Sequence, residues 1–122
     1  MNKGLRSWPR PQNVAKIRAM LKLDATSVPG AGAPFPSSAI KNAYNILKVI
    51  FNGTGDYTVH FGRPMDTAHF IVQGCALEAG GFEWLVNVDS SDPGRNDRVI
   101  LRVVSGAGGG LNNALIYVVI FA

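Results

Sequence analysis

Cysteine is almost absent from this chain: Cys75 stands alone among 122 residues. One thiol cannot close an intrachain disulfide or supply a four-thiolate zinc site, so a disulfide scaffold and a zinc finger are both excluded. On composition, Cys75 is expected to be a small buried hydrophobe. Long apolar runs are lacking too. The longest, residues 114–122, is far shorter than a membrane-spanning helix requires. The basic start is not followed by an apolar h-region, so no secretory signal is read. The expectation is a protein made and kept in a cytosol unless it leaves in a particle, without membrane insertion. Acidic side chains are missing from the first 23 residues, which hold Lys3, Arg6, Arg10, Lys16, Arg18 and Lys22. The remainder sets the other six cations against all eight acids, so the net +4 divides into +6 for the start and −2 for the rest. The basic balance is local and does not by itself mark a nucleic-acid binder. Helical periodicity is also absent, and no helix longer than a turn is needed anywhere.

What the chain does have is alternation. At 122 residues with 47% hydrophobic content it can fill one core. Residues 1–13 carry Pro9, Pro11, Gly4 and Trp8 with no periodicity, and read as an extended arm. From residue 15, Ala15, Ile17, Ala19, Leu21 and Leu23 alternate with Lys16, Arg18, Met20, Lys22 and Asp24, which predicts a half-buried strand with a basic outer face. Residues 25–38 contain Pro29, Pro34, Pro36, Gly30 and Gly32 and read as a loop. In residues 40–51 the apolar parity switches from Ile40, Tyr44 and Ile46 to Leu47, Val49 and Phe51, which predicts a β-bulge near Leu47. Asn52 to Asp56 should reverse the chain as a hairpin, with Tyr57, Val59 and Phe61 facing inward. Further strands are predicted over 69–76, 82–89, 99–103 and 115–121. They are separated by a loop at 62–68, a turn at 90–98 and a glycine-rich loop at 105–113. Seven strands at short spacing predict an all-β, antiparallel, jelly-roll-like β-sandwich over residues 14–122, preceded by the arm.

The middle of the chain resembles a known module. Tyr44-Asn45-Ile46, then Asn52-Gly53-Thr54-Gly55-Asp56-Tyr57-Thr58-Val59-His60-Phe61, Pro64-Met65 and the hydrophobic Phe70 and Val72 resemble the C-terminal module of many phage tail-fibre proteins. Such modules run through a "YNV", a "GTGDYTVxF" and a "PM" and finish on an apolar strand, here Tyr117 to Ala122. The resemblance covers roughly residues 15–76 well and the last strand loosely. It implies a virion-surface β-sandwich, commonly trimeric. In fibre proteins the module follows an anchoring domain and a long shaft, whereas only a dozen or so residues precede it here. That difference favours a protein lying on the particle, as capsid cement and decoration proteins do.

No catalytic constellation is legible. His60 lies opposite in parity to Val59 and Phe61 and should point outward, and the two histidines lack the close pairing of metal ligands. Cys75 and His69 stand six residues apart on one strand, roughly 20 Å by strand rise, too far for a nucleophile–base dyad. The glycines of 105–110 lack the Lys-Ser/Thr and helix of a phosphate loop. Asn52-Gly53-Thr54 matches a glycosylation sequon and is explained by the hairpin. Asp66, Glu78, Glu83, Asp89, Asp92 and Asp97 are dispersed, leaving no carboxylate pair for acid–base work. Aromatic residues are not interleaved with cations on one face, as nucleic-acid stacking platforms need.

Two features remain. The arm combines Trp8 with Lys3, Arg6 and Arg10, residue types enriched at binding hot spots, and reads either as a capsid- or partner-binding segment or as a passive tail. The last strand is apolar on both parities, with Leu115, Tyr117, Val119 and Phe121 on one and Ala114, Ile116, Val118 and Ile120 on the other. One of its faces needs a cover, and Ile116, Val118 and Ile120 are expected to form an oligomer interface. The functional expectation is a structural phage virion protein without enzymatic activity, metal or cofactor. It would be a capsid cement or decoration protein that associates with itself, as a trimer, and with the major capsid protein or another virion protein. The alternative is a tail-fibre or spike tip recognising a host-surface glycan or protein through loops 62–68 and 90–98.

Overall fold

A computed structural model describes residues 16–67, 69–78, 83–88, 95–104 and 114–122. The arm with Lys3, Arg6, Trp8 and Arg10 lies outside the described residues, as do most of the 90–98 turn and the glycine-rich loop. The fold is an all-β antiparallel sandwich. Its strands are β1 (Ile17–Asp24), β2 (Ala33–Pro34), β3 (Ile40–Tyr44), β4 (Ile46–Gly53), β5 (Asp56–Phe61), β6 (Ile71–Glu78), β7 (Glu83–Val88), β8 (Arg98–Val104) and β9 (Ala114–Phe121). The seven strands expected from alternation become nine for two reasons. Residues 40–53 divide into β3 and β4, and the proline-rich stretch contributes the two-residue β2.

The hydrogen-bonded order is β2-β4-β5-β8-β7-β6-β9-β1-β3. Consecutive strands β6, β7 and β8 are neighbours, and β9 returns to lie beside β6, which is Greek-key winding, the unit from which jelly rolls are built. The ladder is folded so that the inner faces of β4, β5 and β8 meet those of β6, β9 and β1 in one core. Among its most deeply buried side chains are Leu23, Val49, Tyr57, Val59, Leu101, Val103, Ile116 and Ile120. Those on β1, β4, β5 and β8 occupy the parity that alternation assigns to the core; Ile116 and Ile120 on β9 do not follow that assignment.

Local chemistry explains the breaks in the pattern. Between β4 and β5 the pairing slips from Ile46↔Phe61 to Lys48↔His60, leaving Leu47 as the extra residue, 66% exposed. This is the bulge that the parity switch predicted. The β4–β5 hairpin turns at Thr54-Gly55, where Gly55 has φ 70°, a conformation glycine adopts without a Cβ clash. The Gly55 carbonyl accepts the Val103 N–H at 2.8 Å, tying the tip to β8. In the stretch read as loop, β2 pairs with β4 and the Phe35 N–H donates to the Val49 carbonyl at 2.9 Å. Phe35 is thereby set against Phe51 and Tyr57, with ring centroids 6.1 and 5.9 Å away, closing one end of the core.

Candidate functional site

Side chains of directly paired residues lie on the same side of a sheet, so the register defines two outer faces. On the β4-β5-β8 layer the outward rows are Lys48–His60–Arg98 and Ile50–Thr58–Ile100, with Asp56 opposite Arg102 at the hairpin end. This face is polar and carries its own network: the Asn52 amide donates to Thr58 Oγ1 at 2.7 Å and to Asp56 Oδ1 at 3.2 Å. His60 points outward, as its parity predicted. Burial pushes its pKa below the ordinary imidazole value, helped by Lys48 and Arg98 beside it and opposed by Asp97.

The β6-β9-β1-β3 layer differs. Its outward rows are Ile71–Phe121–Ile17, Gln73–Val119–Met20–Tyr44, Cys75–Tyr117–Lys22–Asn42 and Leu77–Leu115–Asp24. Most of these side chains are apolar or aromatic. Ile17, Ile71 and Tyr44 are 52%, 58% and 57% exposed. The Lys22 ammonium lies 5.3 Å from the centroid of the Tyr117 ring, laying its stem along this face. A sheet face open to water ordinarily alternates to polar residues, whereas in these rows only Gln73, Lys22, Asn42 and Asp24 are polar or charged.

Three sequence expectations are corrected here. Ile116, Val118 and Ile120 are 1%, 2% and 0% exposed, so they belong to the chain's own core and are not available to a partner. The outward side of β9 is Leu115, Tyr117, Val119 and Phe121, and the apolar second face lies there. Cys75 is exposed, because its pairing with Tyr117 puts it on the outer face while Ala76 takes the inward position at 0% exposure. Ile17 does not continue the inward series of Ala19, Leu21 and Leu23: pairing shifts from Ile17↔Phe121 to Ala19↔Ile120, and the bulge at Arg18 turns Ile17 outward.

A second feature lies where β3 gives way to β4. Asn45 adopts φ 57°, the left-handed region that asparagine tolerates better than most side chains, and the chain passes there from the β1 layer to the β5 layer. Its side chain is fully used. Nδ2 donates to the carbonyls of Arg18 at 3.1 Å and Arg63 at 3.0 Å, and Oδ1 accepts the Arg63 N–H at 2.6 Å. The Asn of the Tyr44-Asn45-Ile46 motif is therefore a corner clamp. Beside it opens a cleft of about 500 Å³ lined by Arg18, Tyr44, Asn45 and residues 62–66. Part of the 62–68 loop proposed for recognition thus borders a real concavity, a location alternation alone gave no means of finding.

The remaining chemistry-bearing residues stay apart. His69 is exposed, and no three of His, Cys, Asp and Glu converge among the described residues. No helix among them is long and apolar enough to cross a membrane. Asp24 is held below the usual carboxylate range by the hydroxyl and N–H of Thr26, and Asp97 by the Arg95 side chain, its ion-pair partner at 3.1 Å. Tyr57 is pushed up to about 12 by burial, as expected of a core phenol. Compared with known protein families, curated proteins and solved structures, the chain matches none.

Proposed function

We propose that this chain is a structural protein of a phage particle, a capsid cement or decoration protein that associates with copies of itself and with a virion neighbour. The observation that carries the reading is the contrast between the two outer faces. The β4-β5-β8 face is furnished for water, whereas the β6-β9-β1-β3 face presents Ile17, Ile71, Tyr117, Val119 and Phe121 and is furnished for contact. A second copy is the occupant with the matching chemistry, and three copies that turn this face toward a common three-fold axis cover it on each of them. The resemblance of residues 44–65 to tail-fibre modules supplies the virion setting, and the trimer common among them is the assembly proposed.

The arm is the proposed tie to the capsid protein or another virion neighbour, with Trp8 as apolar anchor and Lys3, Arg6 and Arg10 at its rim. Its three cations offer too few phosphate contacts for tight nucleic-acid binding at physiological salt. The test is the number of copies retained on the purified phage particle. Deleting residues 1–13 should leave a folded, self-associated domain that no longer stays on the particle. Trp8→Ala should weaken retention more than Arg6→Ala, because a buried indole removes far more apolar area from water than a screened rim charge returns in Coulomb energy. Full occupancy by the truncated protein would overturn the role of the arm.

The second reading is a fibre or spike tip that recognises a host-surface glycan or protein. The observation favouring it is the cleft beside Asn45.

A further inference from the structure

Loop 62–66 is hydrogen-bonded to Asn45 on one side and to Asn96 on the other. The Gly62 N–H donates to the Asn45 carbonyl at 3.1 Å, and Arg63 is fixed through both its N–H and its carbonyl to the Asn45 side chain. The Met65 N–H donates to the Asn96 carbonyl at 2.8 Å, and the Asn96 amide returns a bond to the Met65 carbonyl at 3.0 Å. Met65 itself is 4% exposed and roots the loop in the core. The backbones of Gly62, Arg63 and Met65 are bonded to the protein, so the side chains that line the cleft stand on a preset backbone that need not be ordered when a ligand arrives.

Those side chains are chemically specific. Arg63 and Asp66 form no ion pair among the described residues, and Arg18 contributes only its Nε, at 3.4 Å, to the Ala122 carbonyl. Two guanidiniums therefore line one cleft with donors to spare, and the planar guanidinium fork matches a carboxylate. The Tyr44 ring, 57% exposed, gives the same cleft a flat apolar wall. Asp66 adds an acceptor for hydroxyl groups. At about 500 Å³ the cleft is larger than a lone small anion needs and within the range of small-molecule sites. A single ring, two cations and an opposing carboxylate are a poor match for a nucleic-acid strand, which calls for repeated stacking platforms and a uniformly positive groove.

We propose that this cleft binds a saccharide bearing a carboxylate: Arg63 and Arg18 take the carboxylate, Tyr44 the apolar face of the sugar ring, and Asp66 its hydroxyls. The proposal deepens the recognition reading of loop 62–66; Tyr44 also ends an outer row of the β6-β9-β1-β3 face, so a copy covering β3 competes with the saccharide for it. The experiment is an amide-resolved NMR titration of the full chain with two acidic probes, an oligogalacturonate and a sialylated lactose. Neutral lactose and an oligothymidylate strand serve as comparisons. Either acidic saccharide should shift the amides of residues 44–45 and 62–66, with lactose weaker by about tenfold or more. Arg63→Gln and Tyr44→Ala, both at the surface, should keep the dispersed spectrum of the folded protein and each weaken the acidic probe about tenfold. The proposal is overturned if neither acidic saccharide moves these amides at about 10 mM, a range that already admits very weak binding. It is equally overturned if both variants bind as the wild type does, or if the oligothymidylate binds as well. Sedimentation of the same samples keeps the two readings separate: a monomer that binds the acidic probe upholds the cleft while counting against the assembly.

Discussion

A lysine at position 119 should take the assembly apart without unfolding the chain. Val119 lies near the middle of the apolar outer face, paired with Gln73 on β6 and Met20 on β1. Three strands of eight residues and the five-residue β3, about 4.8 Å apart at about 3.3 Å rise per residue, give a face of about 460 Å² in projection. Covering it on two copies removes about 900 Å² from water, the size of weak and transient interfaces. Val119→Lys places an ammonium inside that contact, and an unpaired buried charge costs about 3–5 kcal/mol. Dissociation should therefore become easier by about two to four orders of magnitude. In the monomer the lysine stem can lie along the sheet with its head in water, so the fold survives. Sedimentation velocity at tens of micromolar, with circular dichroism alongside, reads both effects: an oligomeric wild type, and a monomeric variant with an unchanged β spectrum. Ile120→Lys, one residue along and in the core, should instead lose the spectrum. A monomeric wild type at that concentration, or a Val119→Lys protein that sediments as the wild type does, would refute the reasoning.

Two further predictions concern the fold. Asn45→Ala gives up three side-chain hydrogen bonds and puts a Cβ without polar compensation into the left-handed region, for a loss of about 2–4 kcal/mol. Asn45→Gly gives up the bonds alone, so the melting temperatures should fall in the order wild type, glycine variant, alanine variant, and an alanine variant as stable as the glycine variant would contradict the clamp. For His60 the folded-state pKa lies below the ordinary imidazole value, so between about 6.5 and the folded value the unfolded chain binds more protons. Its stabilising contribution is complete above the ordinary value and declines as pH falls through that window. Melting curves from pH 7.5 down to 5 should show a decline that His60→Gln reduces, and an identical profile in the variant would disprove the assignment.

Most of the fold was legible because alternation is a strong signal wherever only one face is apolar. Strands β1, β4, β5 and β8 and the Leu47 bulge follow from it directly. Alternation failed where both parities are apolar, since it then reports that a strand exists but not which side is inside. In β9 the two candidate sets, Ile116-Val118-Ile120 and Tyr117-Val119-Phe121, are nearly equal in hydrophobicity. Pairing with Leu21 and Leu23 on β1 decides between them, and that is a tertiary fact. The bulge at Arg18 leaves no mark in composition, so alternation puts Ile17 on the wrong side; for Cys75, residue type alone points to burial, and its register with Tyr117 decides otherwise. The candidate cleft was half visible. Residues 62–66 stood out as a loop, and Tyr44-Asn45 as a motif, but their meeting with Arg18 depends on the corner at Asn45, whose left-handed backbone no periodicity announces.

The position of β9 bears on how the chain reaches this structure. It lies between β6 and β1, and where the start of β1 meets the end of β9 the Lys16 and Ala122 backbones exchange hydrogen bonds of 3.1 and 3.0 Å. Until residues 114–121 have left the ribosome, β6 and β1 each present an unpaired edge, and the closing contacts span nearly the full sequence. Loop closure over that separation must precede any gain from pairing, which places folding among the slow, non-local β topologies. The nascent domain is then most vulnerable to edge-to-edge association just before synthesis of its last strand, when its apolar sheet face is also uncovered.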